Sequence, residues 1–181
     1  KVSSSVINAW KFCGLDNDLR IPLKNLFIPE NFDFHPIENW KQVHPKIIRD
    51  SSLTRVWFKQ DTEYRKPKTI LTIELKNATI NCDPLNWNLT QIFAWMLEDH
   101  LKERLYSAVL AGTEWNLAVT TAGIRLFIEG YSEKQELFVE TILNEIFRFK
   151  IDLRHFEDAY DGYYGDVKGF EGERPQQMGI Y

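Results

Sequence analysis

The side chains best able to hold a metal or move a proton are four histidines, His35, His44, His100 and His155. A catalytic zinc needs two imidazoles one helical turn apart, because residues i and i+4 share a helix face, with a glutamate alongside to activate the bound water. The inverted form of that arrangement reads H-x-x-E-H. His100 comes nearest, opening His100-Leu101-Lys102-Glu103-Arg104 within a helical pattern, but Arg104 stands where the second imidazole belongs. His35 opens His35-Pro36-Ile37-Glu38-Asn39, where Asn39 takes the ligand position and Pro36 opposes a helix. His44 and His155 have no Glu three residues on and no His four on. The expected catalytic set and the expected metal set in this chain are therefore both empty.

Other chemistries meet the same result. There is no G-x-S-x-G, no phosphate loop and no G-x-G-x-x-G. Cys13 and Cys82 lie far apart with no second cysteine near either, which excludes a zinc ribbon or a redox CxxC. Two free and mostly buried thiols are expected, and with them a reducing, cytoplasmic compartment. The carboxylate pairs Glu98/Asp99 and Glu157/Asp161 fall on helical patterns among other charges and read as solvated faces. Six tryptophans are spread over every element, so they read as core and interface packing rather than a stacking platform. Asn77-Ala78-Thr79 and Asn88-Leu89-Thr90 are glycosylation sequons, short enough to arise by chance.

With a net charge of -4 and a pI near 5.6, the chain offers no overall field for nucleic acid or an anionic membrane. The Lys and Arg residues between Lys41 and Lys68 are interrupted by Asp50, Asp61 and Glu63 and read as a mixed, solvated surface. No apolar stretch is long enough to span a bilayer, no signal-peptide core is visible, and a first residue of Lys1 gives the look of an excised piece. The 181 residues, 44% hydrophobic, suit one domain or most of one.

The elements follow from patterning. Residues 1 to about 50, punctuated by Pro22, Pro29, Pro36 and Pro45, predict an irregular extended segment laid over something else. Arg55–Gln60 predicts a strand with Val56 and Phe58 on one face and Trp57 and Lys59 on the other. Thr69–Leu75 predicts a second, with Leu71, Ile73 and Leu75 inward, after a charged loop at Asp61-Thr62-Glu63. Asp83 as N-cap and Pro84 at the first helical position open a long helix with Leu85, Leu89, Ile92, Phe93, Met96 and Leu101 on its apolar face. After a break it continues through Leu105, Ala108 and Leu110 until Gly112. Trp115–Val119 and Ile124–Ile128 predict a hairpin about Thr120-Thr121-Ala122-Gly123. Two helices close the chain, Glu133 to Phe147 and one capped by Asp152 that carries Leu153, Phe156, Tyr160, Tyr163 and Val167. This order predicts an α+β two-layer sandwich, a mainly antiparallel sheet with helices on one face.

Several stretches resemble the third domain of the insulin-degrading-enzyme (insulysin/pitrilysin/nardilysin) family of inverted zinc metallopeptidases. Leu26-Phe27-Ile28-Pro29-Glu30-Asn31-Phe32, after Leu19-Arg20-Ile21-Pro22, resembles the family's "N-x-F-I-P-x-N-F". Arg55-Val56-Trp57-Phe58-Lys59-Gln60-Asp61 resembles "L-W-F-K-Q-D". Asp83-Pro84 and Tyr106-Ser107-Ala108-Val109-Leu110-Ala111-Gly112 resemble the start and end of the family's long helix. Gly130-Tyr131-Ser132-Glu133-Lys134-Gln135 is similar to "G-Y-x-x-K-Q", and Phe170 to Pro175 to "N-F-x-x-x-x-P". The matches run in family order from about Leu19 to Tyr181.

The resemblance implies a non-catalytic domain that helps wall a peptide-degradation chamber. Its implied partners are the other domains of the same polypeptide, peptide substrates and, through dimer contacts, a second copy. The implied zinc and its H-x-x-E-H belong to the first domain of the parent enzyme, and no family catalytic residue maps onto this chain. Residues 1–25 are expected to be a linker, and 26–181 the third domain, incomplete at its C-terminal end. Two other readings stand beside this one: a binding or structural protein on the same fold, and an autonomous hydrolase using Glu or Asp side chains.

Overall fold

The computed structural model describes residues 2–14, 21, 23–34, 36–37 and 43–170, with the side chain of Phe170 left aside. The readings that fell on Leu19, Arg20, Pro22, His35, Glu38, Asn39, Trp40, Lys41, Gly172 and the stretch after Phe170 lie outside those residues. In chain order the elements are α1 (Ser4–Lys11), β1 (Lys46–Asp50), β2 (Arg55–Phe58), β3 (Lys68–Lys76), α2 (Pro84–Arg104), α3 (Tyr106–Leu110), β4 (Glu114–Thr120), β5 (Gly123–Tyr131), α4 (Ser132–Arg148) and α5 (Leu153–Phe170).

The three-stranded sheet runs β3-β5-β4, antiparallel throughout. Its register sets Ile73 opposite Leu126 and Leu117 opposite the same residue from the other side, so one inward row crosses the sheet. Period-2 alternation then sends Leu71, Ile73, Ile124, Leu126, Ile128, Trp115, Leu117 and Val119 to one face, where α2 and α4 cover them. The core is the cluster around Leu97, Leu101, Leu105, Leu126, Ile128, Phe138 and Ile142, all essentially inaccessible to solvent. Each such side chain stabilises the fold by about 1.5–3 kcal/mol. The opposite face carries the cross-strand pair Glu74–Arg125, 2.8 Å apart and solvated.

The long helix begins as expected. Asp83 Oδ1 accepts the Asn86 N–H at 2.8 Å, and its second carboxylate oxygen accepts from the Asn86 amide at 2.6 Å. Ile92, Met96 and Leu101 are buried, but Leu85 and Leu89 are exposed, Leu89 lining an open cavity with Phe93 and Ile124. The break falls at Leu105, where α3 takes over before Gly112. Asp152 caps α5 by accepting the His155 N–H at 3.0 Å. Helix α5 lies on α2, with Tyr163 donating to Asn88 at 2.7 Å and its ring edge-on to Trp95.

Three expectations are corrected. The first fifty residues are not wholly irregular, since α1 and β1 form within them. β1 escaped the alternation test because a bulge lies between Ile47 and Arg49, putting the adjacent pair Ile47-Ile48 out of period. β2 is shorter than expected and pairs with β1, forming a separate two-stranded sheet. Finally, Cys13 and Cys82 are free as expected but exposed, their thiols donating to the carbonyls of Trp10 and Ala78. Each sits in a local turn that no core element covers.

Candidate functional site: a joint where three sequence motifs meet

The leading segment, residues 23–34, has no regular structure, yet side chains and backbone pin it to the sheet's helical layer. Asn25 makes the first contacts: its amide donates to the carbonyl of Ser107 at 2.7 Å while its oxygen accepts the Phe27 N–H. This local ring turns the chain so that Phe27 enters the core edge-on to Phe138, with ring centres 6.1 Å apart. Two residues later Glu133 takes over. One carboxylate oxygen, Glu133 Oε2, accepts the backbone N–H groups of Glu30 and Asn31, both at 2.7 Å. Its other oxygen lies 2.8 Å from Lys134 Nζ. Phe32 then packs edge-on to Tyr131 at 5.4 Å, and Arg65 lies over the ring of Phe34.

Glu133 suits this work because it stands in the first turn of α4, where the helix dipole favours a negative charge. The Lys134 ammonium, then the Asn31 and Glu30 N–H groups, pull its carboxyl from the ordinary 4.5 down to about 2. A carboxylate accepting two N–H groups is strongly preferred in its charged form. Behind it, a Cβ on Gly130 would stand 3.1 Å from Thr113 Oγ1 and 3.4 Å from Gln135 Oε1, so a larger residue would press on those two side chains. The Gln135 amide is buried there with no hydrogen-bond partner among the described residues. Thus the stretches at 26–32, 106–112 and 130–135, quoted separately above, converge on one joint.

The histidines are dispersed. His100 Nε2 lies 3.1 Å from Glu145 Oε2 and its ring rests against Phe149, so it ties α2 to α4. Glu103 points to solvent and Arg104 ends the helix. His155 Nδ1 pairs with Asp152 at 2.6 Å within the α5 cap. Among the described residues no group of three or more His, Cys, Asp or Glu side chains could hold a metal ion. Glu98 pairs with Lys102, while Glu157 and Asp161 are solvated as expected. No helix among the described residues is long and apolar enough to cross a membrane. Sequence reasoning on catalysis passed over Asn25, Glu133 and Gln135. The available signal was an acidic residue in the first turn of a helix facing a proline-rich segment.

What the fold and this joint define is an α+β unit whose leading segment is fastened to its helical layer through Asn25 and Glu133. The whole chain, residues 1–181, matches the family described as the middle or third domain of peptidase M16, and it belongs to that family. It is 36% identical to the insulin-degrading enzyme of Drosophila melanogaster over 181 residues, covering the full chain and 18% of that protein. It is 33% identical to the human insulin-degrading enzyme over 180 residues, 99% of this chain and again 18% of the relative. The crystal structure of pitrilysin superposes with a TM-score of 0.77 at 20% identity, covering 93% of this chain and 18% of that one, which shows the fold alone. The chain thus spans under a fifth of the relatives it matches.

Proposed function

We propose that this chain is a non-catalytic domain of an insulin-degrading-enzyme-like zinc metalloendopeptidase, and that it helps wall the chamber in which peptides are cut. The observation that carries the reading is the full-length match to a middle domain in a chain where His100 ties α2 to α4 and His155 pairs with Asp152 in the α5 cap. The zinc of the parent would be held by another domain. The physical role left to this one is shape: a sheet-and-helix layer, fastened to its leading segment, that packs against neighbouring domains and confines an extended peptide.

Zinc content and cleavage of a quenched fluorescent peptide test this, measured for the purified chain and for its parent polypeptide, with added zinc and with chelator. Chelator-sensitive turnover in the parent and none in the chain is the expected outcome. Stoichiometric zinc and turnover in the chain alone would overturn it, and His100 and Glu103 would then be the first residues to replace.

A further inference from the structure

An isolated two-stranded hairpin is marginal in water, and three strands or a packed face are ordinarily needed to hold one. No third strand joins the β1–β2 hairpin among the described residues, and every residue in both strands is exposed. Its composition is not that of a solvated ribbon. The register pairs Ile47 with Trp57 on one face, and these are 43% and 58% exposed. Val56 lies on the opposite face beside Arg49, Ile48 stands out at the bulge, and Leu53 at the turn is 93% exposed. Exposed apolar side chains therefore stand on both faces of the hairpin and at its turn. Such surface marks an interaction site.

Charge narrows the occupant. Arg55 is held by Asp50 at 3.0 Å, but Lys46 and Arg49 have no ion-pair partner among the described residues. A fitting surface is an apolar cleft bordered by carboxylates. The hairpin is continuous with a chain covering 18% of its relatives, so more than four-fifths of such a protein lies outside these residues and is tethered to this hairpin at high effective concentration. A second copy of this chain has no such advantage.

We infer that the β1–β2 hairpin is an arm that inserts into an acid-rimmed apolar cleft on a neighbouring domain of the same polypeptide. This rests on the reading of the chain as one domain of a larger peptidase. Insertion covers Trp57 and Ile47 on one face and Val56 on the other. It also supplies the stiffness the two strands lack alone, so the arm fixes where this domain sits relative to its neighbour.

Amide hydrogen exchange of peptides spanning residues 46–58 tests the inference, compared between the parent polypeptide and this chain. Exchange slowed by about 100-fold or more in the parent, and lost in its Trp57→Ser variant, is the expected result. The double variant Lys46→Glu/Arg49→Glu keeps the apolar surface and should lose protection more steeply at low salt than at high salt. Equal, fast exchange in parent and chain overturns the inference. So does protection in the chain alone that rises with its concentration alongside a doubled mass, because the occupant is then a second copy. Zinc-dependent peptide cleavage by the same parent sample separates the two readings. An active parent with an unprotected hairpin sinks only the arm, and an inactive parent with a protected hairpin sinks only the peptidase reading.

Discussion

Replacing Gly123 by alanine should cost this fold more than any other single methyl group. Gly123 opens the central strand β5 with φ +154°, paired to Lys76 on one side and Thr120 on the other. A Cβ there would stand 2.0 Å from the Leu75 carbonyl oxygen, 2.9 Å from the Leu75 carbonyl carbon and 3.0 Å from Lys76 Cα. All three atoms are backbone of β3, so no rotamer change relieves the overlap and the strand itself must move by more than an ångström. Overpacking of this kind costs about 1–3 kcal/mol, and a backbone conformation L-residues rarely adopt adds roughly 1–3 kcal/mol. A total near 4 kcal/mol lowers the melting temperature by about 8–16 °C in a domain of this size. Gly165 provides the opposite control. It lies within α5 with nothing within 4 Å of its would-be Cβ, so Gly165→Ala should stabilise by about 0.5–1 kcal/mol through helix propensity. Calorimetry or denaturant melts of the two variants beside the unmodified chain decide the matter. A Gly123→Ala protein melting within 1 °C of the parent sequence would refute the close β3–β5 approach on which the reasoning rests.

The joint, the core and the α2 cap yield four further expectations. Glu133→Gln removes the charge that two backbone N–H groups and Lys134 prefer, and faster amide exchange at Glu30 and Asn31 should follow, with the core amides unchanged. Because the Glu133 pKa is depressed in the folded state, its fastening is complete above about 4.5 and fades as pH falls through about 2; an amide-exchange or tyrosine-fluorescence titration should place the release of the leading segment in that window, and Glu133→Gln should abolish the transition. Phe138→Ala empties a site that touches both the core and Phe27, and a loss of about 3–5 kcal/mol is expected in urea melts. Asp83→Ala should lower stability and Asp83→Asn restore most of it, since either Asp or Asn can accept the Asn86 N–H.

Where local chemistry decides an element, its boundaries were legible. Asp83-Pro84 marks the start of α2 to the residue, Asp152 the start of α5, and the alternation of Ile124, Leu126 and Ile128 the inward face of β5. Where packing decides, the sequence was silent or misleading. Leu85 and Leu89 fit the apolar stripe yet stay exposed, because helical period says which side a residue is on and not how closely its neighbours pack. β1 was hidden by its bulge. The partner of β2 could not be read at all, since two consecutive strands joined by a charged loop look alike whether they pair with each other or part company. Catalytic reasoning failed on the joint for a different reason. It searches for groups that act on a substrate, whereas Glu133 acts on its own backbone.

The convergence of the motifs at that joint changes what the family likeness encodes. Core positions such as Leu97, Leu101 and Ile142 tolerate exchange among aliphatic residues of similar volume, so they leave little trace in a sequence. The joint has no such latitude. Asn25 must offer both an amide donor and an acceptor, and Glu133 a carboxylate long enough to reach two N–H groups. Each demand selects one or two residue types out of twenty. Three of the recognisable stretches of this chain therefore meet where the leading segment is fastened.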